Sequence, residues 1–450
     1  MQNDYRDHVK RRGIALLFVA CAVAISGCGS GGSSAPAASP TPVLPPAGSP
    51  SIQVLPQTFS FGKVTPQNVA APLEVTIKNV GNAELRVSSI AFQAPADPTF
   101  ILSPSAGAKP CASVSPTIAA GDSCTFQVAF QPASTAALST VLQVHSNDSA
   151  TPIFSLPITG SSEEVAALTV RVNQLDTVCP VSTAYVSVTD QGGYPVLGLL
   201  PGNFSVMQGT LPVTLTSARY IADIYKTIAI SAVLDHSGSV TEQPVAFNDM
   251  KVGFTGLLAA MRADDIAQVI KFGTDFEVVQ PFTSDKSLLA AAIEASFDRG
   301  DATRLYDTVF QAVDDTAVNA AYRRAVIVAT DGVDAGETGA PLSTKTLNDV
   351  IANARIRNVA IFTVGIGTSL DGPGLERMAL ETGGLYFQAN ASQNLANVYR
   401  QLATLLYERQ YVLTFTQPMS GTPGISVPLT VGASFGAITG SGGRPIVLCN

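Results

Sequence analysis

The chain has 450 residues, 46% of them hydrophobic and 13% charged, with no Trp and only three His. That balance describes a globular protein rather than a disordered one, and the length allows about three domains. A net charge of −8 disfavours nucleic acid and anionic membrane surfaces as partners.

The first segment reads as a processing signal. Arg6, Lys10, Arg11 and Arg12 precede the apolar run IALLFVACAVAI at 14–25, which is too short for an ordinary membrane span. Ile25-Ser26-Gly27-Cys28 follows and resembles a bacterial lipobox. The resemblance implies cleavage after residue 27 and lipidation of Cys28, which ties the chain to the cell envelope by lipid. Gly29 after the cysteine favours the outer membrane where two membranes exist. An ordinary secretory signal with a nearby Cys is the alternative. Residues 28–50 then form an uncharged Gly/Ser/Pro-rich linker, able to reach roughly 70 Å when extended.

Residues 51–162 read as all-β. FSFGKV, LEVTIKNV, ELRVSSIAF, CTFQVAFQP, STVLQVHS and IFSLPITG are short apolar runs separated by turn signals at sandwich spacing. FSFGKV, VTIKNVGNAEL, CTFQVAFQP and the closing HSND…LPITG together resemble the Ig-like repeats of the abnormal-spindle/hydin type. That likeness implies a spacer or binding module without catalytic residues.

Residues 165–224 continue in β, with ALTVRVNQL, TAYVSVTD, FSVMQG and VTLTSARYI. From 225 to 409 the periodicity changes. Apolar strands at 227–234, 265–272, 324–330 and 359–365 alternate with helical patterns, which reads as a mostly parallel sheet covered by helices. After 410 the chain returns to β with YVLTFTQ, ISVPLTV and PIVLC. The expected architecture is an Ig-like sandwich followed by a β domain, formed by 165–224 and 411–450, into which a doubly wound α/β domain is inserted.

Export implies an oxidising compartment. Cys21 leaves with the signal and Cys28 is lipidated, so Cys111, Cys124, Cys179 and Cys449 remain. Three pairings are open. Cys111–Cys124 is favoured because both lie in one β-rich segment. Cys179–Cys449 would then lock the two halves of the split β domain.

Ligand sites of open α/β sheets lie beyond the carboxyl ends of the strands. Three loops fall there: Asp-His-Ser-Gly-Ser at 235–239, RGDATRLYD at 299–307 and VATDGVD at 328–334. Asp235-x-Ser237-x-Ser239, Thr303 and Asp331 resemble, in order and context, the metal-ion-dependent adhesion site of von Willebrand factor type A domains. Thr303 leading into RLYDTV and the run AIFTVGIG at 360–367 agree with that likeness. It implies an Mg²⁺ site, with Mn²⁺ or Ca²⁺ as substitutes, completed by an Asp or Glu of a protein partner in adhesion or envelope assembly. Hard cations of this kind prefer oxygen ligands.

Other readings of the same residues remain. Ser239, Thr303 and Asp331 are also suitable N-caps and turn residues. His236 beside Ser237 raises the possibility of a nucleophile, but DHSGS is not the GxSxG of a hydrolase elbow and no His follows 236. His236 is expected as an exposed loop residue, and Asp301 and Asp334 as solvated neighbours. The functional alternatives are therefore a structural β-rich spacer with a vestigial metal site and a serine hydrolase, with the non-enzymatic binding protein preferred.

Overall fold

The computed structural model describes residues 48–450 apart from 65, 67–71, 337, 367–369, 390–391, 419–421 and 450. The signal sequence, the lipobox with Cys28 and nearly all of the linker lie outside the described residues.

The first domain is a sandwich of short strands: β1 (Ile52–Leu55), β2 (Phe59–Val64), β3 (Leu73–Asn79), β4 (Leu85–Phe92), β5 (Phe100–Ser103), β6 (Thr117–Ile118), β7 (Ser123–Phe130), β8 (Ala137–Ser146) and β9 (Ile153–Ser162). One sheet runs β1-β3-β7-β5 and the other β2-β9-β8-β4-β6. Alternate residues point inward, as in Leu73, Val75 and Ile77 of β3. Phe61 stacks on Phe130 with centroids 5.4 Å apart in the core. A disulfide joins Cys111 to Cys124.

The second domain is discontinuous. β10 (Thr169–Val178), β11 (Val181–Thr189), β12 (Phe204–Gln208), β13 (Leu211–Val213) and β14 (Leu215–Tyr220) precede a short helix α1 (Ile221–Ile224). β21 (Tyr411–Thr416), β22 (Ser426–Phe435) and β23 (Ile438–Val447) return nearly two hundred residues later. β21 lies between β11 and β14, and β22 between β12 and β23, so neither sheet is complete without both halves. The Cys179–Cys449 disulfide fastens the tip of the β10–β11 hairpin to the end of the chain.

Between the halves lies the α/β domain. Its sheet order is β17-β16-β15-β18-β19-β20, built from β15 (Ile228–Asp235), β16 (Ile266–Phe272), β17 (Phe276–Thr283), β18 (Arg323–Thr330), β19 (Ala360–Ile366) and β20 (Tyr386–Ala389). All pairs are parallel except β16–β17. Helices α3 (Pro244–Ala259), α4 (Lys286–Glu294) and α8 (Ser392–Thr404) bury one face, and α5 (Leu305–Ala317), α6 (Leu347–Arg357) and α7 (Gly372–Thr382) the other. α2 is a single turn at Gly238–Thr241. β15 is buried at every position, which is why it reads as an unbroken apolar run. The sheet has two strands more than the periodicity announces. β17 is a half-buried edge strand, and β20 has four residues.

Tight polar contacts join the domains. Tyr194, in the turn after β11, enters the core of the Ig-like sandwich and donates its hydroxyl to the Phe61 carbonyl. At the base of the α/β sheet, Arg323 Nη1 donates to Gln410 Oε1 at 2.8 Å, and Gln410 Nε2 to Asn173 Oδ1 at 2.7 Å. Asn173 in turn donates to the Gly383 carbonyl at 2.6 Å. Burial depresses the Arg323 pKa to about 10 while nearby Asp265 opposes the shift. Fully paired networks of this kind hold a register, because loss of one partner strands the others.

Candidate functional site

The carboxyl ends of β15 and β18 set the site. They run parallel with Leu234 opposite Ala329, so Asp235 and Thr330 leave the sheet side by side. Asp235 is completely buried. Its Oδ1 accepts the Ser237 N–H at 2.8 Å and its Oδ2 accepts the Thr330 hydroxyl at 2.6 Å. Thr330 Oγ1 also accepts the Gly332 N–H at 2.9 Å. The carboxylate is thereby fixed in orientation before any ligand arrives.

Ser237 follows in extended conformation, and its carbonyl accepts the N–H groups of Val240 and Thr241 in the α2 turn. That turn brings Ser239 back over Ser237, with the two hydroxyl oxygens 3.2 Å apart. Ser237 is buried and Ser239 exposed, so the pair leads from the interior to solvent. Gly238 between them donates to the Asp301 carbonyl at 2.9 Å, and a Cβ there would meet Asp301 Cβ at 3.1 Å.

Thr303 comes from the loop before α5. Its backbone exchanges hydrogen bonds with Ala335, at 2.9 and 3.2 Å, which ties it to the loop carrying Asp331. Both Thr303 and Asp331 are more than nine-tenths buried. Asp331 follows Thr330 directly, and its carbonyl accepts the Asp371 N–H at the start of α7.

The electrostatics are those of an undercompensated acidic pocket. Burial raises the Asp235 pKa to about 6; hydrogen bonds from Ser237 and Thr330 oppose this, and the Asp331 charge adds to it. A cation between these groups would remove the penalty. The donors present are two carboxylates and three hydroxyls. Among the described residues no group of three or more His, Cys, Asp or Glu side chains is placed to hold a metal ion. An all-oxygen set of this kind suits a hard divalent cation.

Of the capping and turn alternative, the helix caps are not found: the cap positions of α5 and α3 are Arg304 and Gln243, and Ser237 precedes α2 without capping it. Asp331 Oδ1, however, does accept the Val333 N–H at 3.4 Å, as a turn residue would. The expectations for His236 and Asp334 need correction. His236 is buried, with its ring edge-on to Phe247 at 4.9 Å and Phe297 at 5.4 Å. Burial, reinforced by Lys271 and Lys251, lowers its pKa to about 3, so it is a neutral core residue rather than an exposed one. Asp334 is a fastener. It accepts the Leu305 N–H at 2.9 Å, the Leu342 and Ser343 N–H groups at 3.0 Å each, and the Ser343 hydroxyl. The periodicity gave no sign of Thr330. Its signal is its position, one residue before Asp331 at the end of a strand paired with β15.

Residues 230–401 match the family model of the von Willebrand factor type A domain, and residues 50–160 that of the HYDIN/CFA65/VesB-like, Ig-like domain. The chain thus carries an Ig-like domain followed by a von Willebrand factor type A domain. No curated protein sequence matches it. Similar solved structures include a von Willebrand factor type A protein from Catenulispora acidiphila, at 11% identity over 63% of this chain and 74% of that one, with a TM-score of 0.37. The von Willebrand factor domain of the type V pili tip protein Mfa5 from Porphyromonas gingivalis is 14% identical over 40% of this chain and 95% of that one, with a TM-score of 0.34. Proximal thread matrix protein 1 from the mussel byssus, with a zinc-occupied adhesion-site motif, is 16% identical over 45% of this chain and 50% of that one, with a TM-score of 0.37.

Proposed function

We propose that this is a cell-envelope lipoprotein, anchored through Cys28, whose α/β domain binds a protein partner through a divalent cation held by Asp235, Ser237, Ser239, Thr303 and Asp331. The observation that carries the reading is the pair of hydroxyls 3.2 Å apart, ranged beside a buried carboxylate that two hydrogen bonds orient. The cation, when bound, supplies an electrophilic point at which a partner's Asp or Glu replaces a water. Ser237, Ser239 and Thr303 contribute neutral oxygens, so positive charge is left for that acid. Asp235 and Asp331 supply the counter-charge, Asp235 from a buried position and Asp331 from a nearly buried one. The Ig-like and split β domains then act as a stalk.

The same arrangement disfavours acyl-transfer chemistry. Ser237 faces the Ser239 hydroxyl, while the His236 ring packs between two phenylalanines. The discriminating experiment is calorimetry of the full chain with Mg²⁺ and Mn²⁺, followed by envelope pull-downs with and without chelator. Binding lost in Asp235→Ala supports the proposal. A silent titration returns the protein to the class of structural spacers, and fluorophosphonate labelling of Ser237 returns it to the hydrolases.

A further inference from the structure

A second cleft, of about 570 Å³, lies away from the adhesion-type loops, where all three domains meet. Its volume falls in the usual range of roughly 300–1,000 Å³ for ligand sites. Gly62 comes from the Ig-like sandwich, Arg171, Asp190 and Gly193 from the split β domain, and Glu376, Tyr386 and Gln388 from the α/β domain. Asp190 Oδ1 accepts the Gly192 and Tyr194 N–H groups.

One wall is an unpaired strand edge. β20 is the last strand of its sheet and, among the described residues, pairs only with β19. The Thr363 N–H donates to the Leu385 carbonyl, so the backbone groups of Leu385 and Phe387 turn towards β19. Those of Tyr386 and Gln388 therefore turn outward, into the cleft, because successive residues of a strand present their N–H and C=O groups to opposite sides. Edges of this kind are templates for an added strand unless they are covered or charged.

The opposite wall carries a cation with capacity to spare. Arg171 stands on β10 with alternate neighbours Val170 and Val172 in the domain core, which directs it outward. Its Nη1 donates to the Val170 carbonyl at 3.0 Å, but its Nε is buried without a hydrogen-bond partner. Glu376 lies near enough to act on it electrostatically. An unsatisfied, partly desolvated guanidinium favours a planar anionic acceptor. The turn at Gly193, with φ of 78°, lies close to β20: a Cβ there would lie 3.3 Å from the Phe387 ring.

We propose that this cleft binds an extended acidic peptide segment of a partner, which adds as a strand to the outer edge of β20 and sets a Glu or Asp carboxylate on Arg171. Main-chain pairing supplies affinity in strand addition, and the side-chain contact supplies selectivity. The site uses none of the residues of the cation site and does not depend on it.

The test uses the full chain in EDTA, so that the cation site is silent. Two libraries of acetylated, amidated pentapeptides, alike except for Glu or Gln at the centre, are passed over the immobilised protein. The Glu library is expected to be retained at least about tenfold better, the scale of one charge-assisted hydrogen bond. Arg171→Met should bring the two libraries to parity, and Arg171→Lys should keep part of the preference, which separates recognition from folding. Retained peptides should slow hydrogen exchange at the Tyr386 and Gln388 amides, and N-methylation of alternate peptide amides should release them. Equal retention of both libraries, no retention of either, an undiminished preference in Arg171→Met, or indifference to N-methylation would overturn the proposal. So would retention that appears only when Mg²⁺ replaces EDTA.

Discussion

Thr330 donates its hydroxyl to the buried Oδ2 of Asp235 at 2.6 Å, across the two central strands of the α/β sheet. The Thr330 hydroxyl oxygen in turn accepts the Gly332 N–H. One side chain therefore orients the carboxylate and shapes the loop that carries Asp331. Groups that orient metal ligands commonly matter almost as much as the ligands themselves. Thr330→Val keeps the shape and removes both hydrogen bonds. Its Mg²⁺ affinity, read by calorimetry, should fall about 10–100-fold, whereas Thr330→Ser should retain most of it.

The raised Asp235 pKa gives a pH signature. An unfolded aspartate titrates near 3.8, and burial moves this one to about 6. The cation-free fold thus holds the proton more tightly than the unfolded chain does. That contribution to stability is fully present below 3.8 and is lost as the pH rises through about 6. It amounts to roughly 3 kcal/mol. The cation-free protein should therefore gain stability from this group on acidification from pH 7 to pH 5, and Asp235→Asn should abolish that part of the gain in denaturant titrations. Cation affinity should move the other way, falling about tenfold per pH unit below about 6, because each bound ion must displace the proton.

The parts legible in the sequence are those whose pattern is local. β15 and β19 are buried along their whole length and β18 from Ala325 onward, so each reads as a mostly apolar run ending at a polar loop. The loops bearing Asp235 and Asp331 could be located from those ends alone, whereas Thr303, in the loop between α4 and α5, follows no strand and was marked by the likeness to the adhesion-site motif. β17 escaped because it is a half-exposed edge strand, and β20 because four residues do not establish a period. The role of Asp334 was hidden for another reason. Its partners, Leu305, Leu342 and Ser343, become neighbours only when two loops are packed. His236 misled because a histidine between an acid and a serine looks exposed, whereas its ring finds room beside Phe247 of α3 and Phe297 of the loop after α4.

Asn358 shows how the inserted domain is held. It ends α6 in the left-handed region with φ of 56°, a conformation Asn tolerates better than most residues. Its Nδ2 donates to the Leu175 carbonyl at 2.7 Å and its Oδ1 accepts the Leu175 N–H at 3.2 Å. Asn358→Gly preserves the backbone and deletes both bonds. Its stability should fall by about 1–2 kcal/mol in urea unfolding. Asn358→Ala should fall further, since it adds strain at the cap.

The Cys179–Cys449 disulfide closes a sequence separation of 270 residues. Its neighbourhood is held independently: the Cys449 N–H donates to Gln417 Oε1 at 3.0 Å, and Gln417 Nε2 donates to Ser182 Oγ at 3.0 Å. The double variant Cys179→Ala/Cys449→Ala should therefore keep the native register and lose stability through its freer unfolded chain. Were the whole enclosed span to unfold together, the chain-entropy contribution would reach roughly 5.5 kcal/mol. A smaller loss follows if the α/β domain stays folded while the split β domain opens, because the folded insert already brings the ends of the loop together. Equilibrium denaturation followed in parallel by calorimetry and by hydrogen exchange at β15 and β22 distinguishes the two. A single transition with a loss near the upper figure means one cooperative unit, bonded through Asn173, Gln410 and Arg323. Separate transitions, with β22 exchanging first, mean that the inserted domain outlasts the frame that carries it.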